Sequence, residues 1–228
     1  MADAWLSRSC KKVLAGVCVL LFYGISACKG GSTDAGLRKL ATSESTATAR
    51  DAAEQELRAK AAAVQAHYPW LTPVHLQLVD DCIRGAPSNP IDPDPPTRMK
   101  LVCVMRLHLY FAPGLPVPTV VERVTAAGGP TTWTPASVRD ALAFYETAGY
   151  ENPRSYQPRM ASATGESLSW DAPKPGAPLE EQCSGPRPVY RRCLSEPSRQ
   201  PLTALREEHG PLFVWTLTSS YLSVEAGR

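Results

Sequence analysis

Apolar positions recur along the chain with two different periods. From about Ala49 to Tyr68 they fall at Leu57, Ala61, Val64 and Tyr68, the i, i+4, i+7, i+11 spacing of one helix face. Glu54–Arg58 and Glu56–Lys60 place opposite charges four apart on the other face. Thr46 or Thr48 suits the cap, and Pro69 stops the end. Residues 74–83 then change to period two, with Val74, Leu76, Leu78 and Cys82 on one side and His75 and Gln77 on the other. Residues 98–111 keep that alternation for longer, and the proline-rich link between the two runs predicts an antiparallel hairpin.

Pairing Cys82 with Cys103 gives this hairpin a testable register. Leu78 then faces Leu107, Leu76 faces Leu109 and Val74 faces Phe111, all on one side. A slip of one residue would turn one strand's apolar set outward. Downstream, residues 113–130 read as a Pro/Gly-rich crossover. Thr134-Pro135 then opens a second helix, stapled by Trp133 on Val138, with a stripe of Val138, Ala141, Leu142 and Tyr145 and Gly149 as its stop. Residues 157–170 predict a strand, 171–200 a proline-rich loop, 201–209 a short helix ended by Gly210, and 212–224 a last strand. The expected fold is α+β: a four-stranded antiparallel sheet with two main helices on one face, in the order α-β-β-α-β-β.

The N-terminus reads differently. Arg8, Lys11 and Lys12 precede the apolar run from Val13 to Tyr23, which as a helix spans about 18 Å against a bilayer core near 30 Å. That is the build of a cleaved export signal. Ile25-Ser26-Ala27-Cys28 resembles the lipobox of bacterial lipoproteins. The resemblance implies a signal peptide over 1–27, cleavage before Cys28, and a diacylglyceryl group on the Cys28 thiol. Two acyl chains anchor stably where one does not. Residues 28–47, rich in Gly, Ser, Thr and Ala, read as a flexible tether, leaving 48–228 as a single domain on the extracytoplasmic face of a membrane.

Removing the signal changes the charge and cysteine counts. The chain has 24 basic and 22 acidic residues, and residues 1–27 hold three of the former and one of the latter. The remainder is neutral, with no field to gather nucleic acid. Of seven cysteines, Cys10 and Cys18 leave with the signal and Cys28 takes the lipid. Cys82, Cys103, Cys183 and Cys193 remain, and an oxidising compartment favours two disulfides. Register selects Cys82–Cys103, and the short proline-rich loop selects Cys183–Cys193. No pair has zinc-knuckle spacing, so neither a metal nor a cofactor is expected.

Candidate chemistry is sparse. Gly165-Glu166-Ser167-Leu168-Ser169 lacks the second glycine of a nucleophile elbow. His67, His75, His108 and His209 are scattered, with His75 and His108 expected as exposed neighbours on the outer face of the hairpin. Asp92 and Asp94 lie among prolines that stiffen the chain rather than wrap a calcium ion. Arg187, Arg191, Arg192 and Arg199 gather near the Cys183–Cys193 loop and form a candidate anion site.

Tyr68-Pro69-Trp70 after the first helix, Asp81-Cys82 closing a strand, Cys103 in the next and Ala148-Gly149-Tyr150 after the second helix complete a wider likeness. With the lipobox, the chain resembles the small lipoproteins of unknown function of high-GC Gram-positive bacteria. That resemblance implies a location and an approximate fold, and no reaction. The expected function is a lipid-anchored, non-enzymatic binding or scaffolding module of the cell envelope, partnered by the membrane and an unknown envelope protein or polymer. The alternative is a secreted hydrolase of wall material using Ser167.

Overall fold

A computed structural model describes residues 33–84, 99–146, 159–171, 183, 188–197 and 200–225. Residues Asp34–Ala226 form one compact unit. Its elements, in chain order, are α1 (Asp34–Ala41), α2 (Glu44–His67), β1 (Pro73–Arg84), β2 (Met99–Phe111), α3 (Val117–Ala126), α4 (Pro135–Glu146), β3 (Arg159–Ala161), β4 (Ser167–Trp170), β5 (Tyr190–Glu196), α5 (Leu202–His209) and β6 (Phe213–Glu225). The class is α+β, as expected, but the sheet is larger. Six strands pair antiparallel in the order β3-β4-β6-β2-β1-β5.

The two extra strands have physical explanations. β5 lies within the stretch read as loop, because Tyr190-Arg191-Arg192-Cys193-Leu194-Ser195 lacks apolar alternation. Charged side chains on an exposed edge are what keep such a strand from pairing further. The single strand expected over 157–170 is a short hairpin, with Gly165 at φ 87 in the turn between β3 and β4. The crossover expected over 113–130 contains α3, which buries Val117, Val120, Val121 and Val124.

The N-terminal boundary also moves. From Asp34 the chain is helical rather than tether: α1 buries Leu37 and Ala41, one turn apart, against Leu101 and the Cys82–Cys103 disulfide. Ser43, not Thr46 or Thr48, caps α2, its hydroxyl accepting from the Thr46 amide at 3.3 Å. Small residues make this stretch resemble a linker, yet two well-spaced apolar side chains suffice to dock about two turns of helix.

The hairpin register holds over most of its length. Cys82 faces Cys103, Leu78 faces Leu107 and Leu76 faces Leu109. At its end the match fails: Pro73 takes Phe111, His75 takes Tyr110, and Val74 is the extra residue of a bulge. Val74 therefore packs with Tyr110 on the opposite face. Both disulfides form as expected, Cys82–Cys103 and Cys183–Cys193.

The sheet is covered on both faces, not one. α2, α3 and α4 enclose the main core of Leu57, Val64, Leu107, Leu109, Trp170, Phe213 and Trp215. α5 seals part of the reverse face with Leu202 and Leu205 against Tyr110, Leu212 and Val214. Asp171 fastens that helix, accepting from Arg206 at 3.0 and 3.1 Å and from the Leu212 amide at 2.8 Å. Among the described residues, no helix is long and apolar enough to cross a membrane.

Candidate functional site

Between α3 and α4 lies a groove of about 780 Å³, walled by Val124, Trp133, Val138 and Leu142. Its shape begins with two glycines. Gly128 and Gly129 follow α3 at φ 61 and 150, and a Cβ at Gly129 would fall 2.5 Å from the Tyr68 hydroxyl and 2.9 Å from the His67 ring. That close approach lets Tyr68 Oη donate to the Gly128 carbonyl at 3.0 Å. Burial, with Glu166 adding its charge, raises the Tyr68 pKa and keeps the phenol a donor.

The groove's other wall follows from Trp133, which meets Trp215 edge-on at 5.1 Å. Thr131, buried at the groove floor, donates to Glu166. Arg139 and Glu146, both on α4, are the charged side chains of the lining. The result is a concave, largely apolar surface with a few polar groups, within the usual ~300–1,000 Å³ of small-molecule sites.

A second concentration of chemistry joins α2 to the sheet. Asp80 is fully buried and accepts from Arg50 Nε at 2.5 Å and from Tyr221 Oη at 2.6 Å. Tyr221 reaches it because it is the extra residue where β6 shifts register against β2. Arg50 also donates to the Ala41 carbonyl at 2.9 Å and stacks 4.3 Å from the Tyr190 ring centroid. Burial works against the Arg50 charge, but Asp80 outweighs it and raises the guanidinium pKa. Burial and then Asp80 push the Tyr221 phenol well above its usual range. Arg50 and Tyr221 therefore each stay in one protonation state near neutral pH, and their bonds to Asp80 make the cluster a cross-link.

The arginines expected to hold an anion are otherwise engaged. Arg191 donates to both Asp81 oxygens at 2.6 and 3.0 Å, and Arg192 donates to Glu54 at 2.6 Å. Arg187 and Arg199 lie outside the described residues, as do Asp92, Asp94 and the segment containing Ile25, Ser26, Ala27 and Cys28.

Ser167 pairs with Thr216 in β6. His108 occupies the next strand of the same row, and its Nδ1 lies 3.0 Å from the Thr216 hydroxyl. Thr216 therefore stands between Ser167 and the histidine. His75 and His108, expected to be exposed, are both buried, their ring centroids 5.6 and 6.4 Å from that of Tyr110. α5 and its flanks close this face, which the alternation of the hairpin could not reveal. Among the described residues, no three His, Cys, Asp or Glu side chains group to hold a metal ion.

Comparison with protein-family models, curated proteins and solved structures finds no match to this chain. The groove is hidden in the sequence because the prolines of 113–130 mask the helix α3. Its signal was present: Val117, Val120, Val121 and Val124 keep the i, i+3, i+4, i+7 spacing despite the surrounding prolines.

Proposed function

We propose that the protein is a lipid-anchored extracytoplasmic domain of the cell envelope that binds a small, largely apolar molecule without transforming it. The α3–α4 groove carries the binding part of this reading. Its walls are apolar, its volume suits one small ligand, and Arg139 and Glu146 offer polar contacts to a ligand's head. The lipobox at Ile25–Cys28 supports the anchor.

The two parts are tested separately. Radiolabelled palmitate should label the wild-type chain and not Cys28→Ala, which should leave the membrane fraction; labelling that survives the change overturns the anchor. For the groove, the probe is the fluorescent fatty acid cis-parinaric acid. The wild-type domain should enhance its emission saturably at one site, and Leu142→Trp, which fills the groove from its wall, should reduce binding tenfold or more with the melting temperature nearly unchanged. Equal binding by the variant, or none by the wild type, overturns the groove as an apolar site.

A further inference from the structure

We infer that the end of the domain nearest its anchor is a docking surface for an anionic phospholipid bilayer, with a basic cavity that takes a lipid phosphate. The inference rests on the lipid-anchor reading for the location of the membrane. It takes nothing from the α3–α4 groove.

The first observation is the length of chain between anchor and fold. Six residues of advance from Cys28 reach Asp34, the first residue of α1. Fully extended, they span about 20 Å. A leash this short keeps α1 close to the leaflet that holds the lipid.

The second is what stands beside α1. A cavity of about 500 Å³ is lined by Arg38, Arg84 and Arg191, with Asp34 as its one acid and Ile83 as an apolar wall. Arg38, which lines the cavity, and its neighbour Lys39 are both exposed on α1. Arg84 pairs with Asp34, whose side chain is 80% exposed, so a phosphate can replace that carboxylate at little cost. Arg191 is held by Asp81, and Arg106 approaches the same carboxylate at 3.8 Å. Among the described residues that line the cavity, three cations, Arg38, Arg84 and Arg191, stand against one acid, Asp34, with Asp81 already paired to Arg191.

The third is Ile83, half exposed and the most exposed large apolar side chain described. It projects from the same face as half-buried Val102, its partner in β2. A protruding aliphatic residue ringed by arginines suits the boundary between phosphate and acyl chain. Guanidinium groups supply the paired donors that a phosphate accepts.

The test separates docking from lipidation by omitting the lipid. The mature chain carrying Cys28→Ser is sedimented with vesicles of phosphatidylglycerol and phosphatidylcholine, and with vesicles of phosphatidylcholine alone, at low salt. Binding should require phosphatidylglycerol. The double variant Arg38→Gln/Lys39→Gln should weaken it about tenfold or more, since each basic residue near an anionic surface contributes roughly fivefold. Ile83→Ser should weaken it with the charge unchanged. Arg58→Gln/Lys60→Gln, an equal loss of charge on α2, should leave it as it was. Glycerol 3-phosphate at matched ionic strength should not compete; if it strips the protein from vesicles, the site takes free phosphate and the bilayer assignment fails. Equal binding to both vesicle types, or full binding by Arg38→Gln/Lys39→Gln, also overturns the proposal. Because this chain cannot be acylated, none of these results depends on whether palmitate labelling succeeds.

Discussion

The two faces of the sheet solve the burial problem in opposite ways. The face under α2, α3 and α4 is apolar almost throughout, and its main polar intrusion, Asp80, is satisfied by Arg50 and Tyr221 at hydrogen-bond distance. The reverse face is buried only in part, by α5, and it encloses His75, Gln77, His108 and Ser169 among its apolar residues. Burying a charge is tolerable when the pairing is complete, and burying a neutral polar group is tolerable when it stays neutral. The first face depends on electrostatic pairing and the second on suppressed ionisation. Their responses to mutation and to pH should therefore differ.

The largest effect should come from breaking the pair on the first face. Asp80→Ala leaves Arg50 buried with its main counter-charge gone, and such a loss costs about 3–5 kcal/mol. Urea unfolding of the single variant should show it. The double variant Arg50→Met/Asp80→Leu should recover most of that stability, since an apolar pair of similar volume needs no compensation. If the double variant is as unstable as the single one, the cluster stabilises by more than charge pairing.

The reverse face should answer to pH. Burial, with Arg106 adding a smaller push, brings the His108 imidazole down to about 4 from its usual 6.5. Between those values the unfolded chain binds a proton that the folded chain refuses, so lowering the pH through that window removes stability. Below about 4 both states are protonated and the loss from this group levels off. The full span corresponds to something of order 3 kcal/mol. Other groups also titrate in acid, so the comparison is with His108→Asn, which keeps an amide near the Thr216 hydroxyl. Its unfolding free energy should fall less between pH 6.5 and 4.5 than that of the wild type. Parallel curves would place His108 in contact with solvent.

The same contrast explains what could be read from the chain and what could not. Period-two alternation gave the hairpin, and the two central thiols gave its register, because each additional apolar pair tested the one before it. Both signals are local to two strands. Val74 escaped because a bulge turns one residue over without altering the alternation on either side. β5 escaped because an edge strand advertises charge, and α3 because its prolines outweighed four well-spaced valines. Asp80 gave the least warning. It stands beside Asp81 in the sequence, and successive strand residues point to opposite faces. Asp80 enters the core to meet Arg50, while Asp81 turns outward to Arg191. The partner that makes Asp80 tolerable lies thirty residues away at Arg50, which continues the buried stripe of α2 seven residues before Leu57.

The smallest expected effect returns to α2, where Arg58 repeats the Arg50 arrangement two turns further along. Arg58 donates to Glu54 at 2.9 Å and to Glu196 at 2.9 Å, so by inspection it is as well paired as Arg50. The difference is water. The Arg58 side chain is 37% exposed and that of Glu196 56%, whereas Asp80 is completely enclosed. The hydrogen bonds that Arg58 donates to Glu196 and Glu54 raise its pKa, yet solvent and salt screen most of what those contacts contribute to folding. Arg58→Ala should cost about 0–1 kcal/mol, and the cost should shrink further at 0.5 M salt, while that of Asp80→Ala should hardly change. Glu54 is the informative neighbour, because Arg192 still donates to it at 2.6 Å once Arg58 is gone. That remaining bond leaves no carboxylate of the trio buried and unpaired, which keeps the penalty at the low end of the range. A loss of 3 kcal/mol or more from Arg58→Ala would show that distance to a carboxylate, rather than exclusion of water, sets the strength of the pairs on this face.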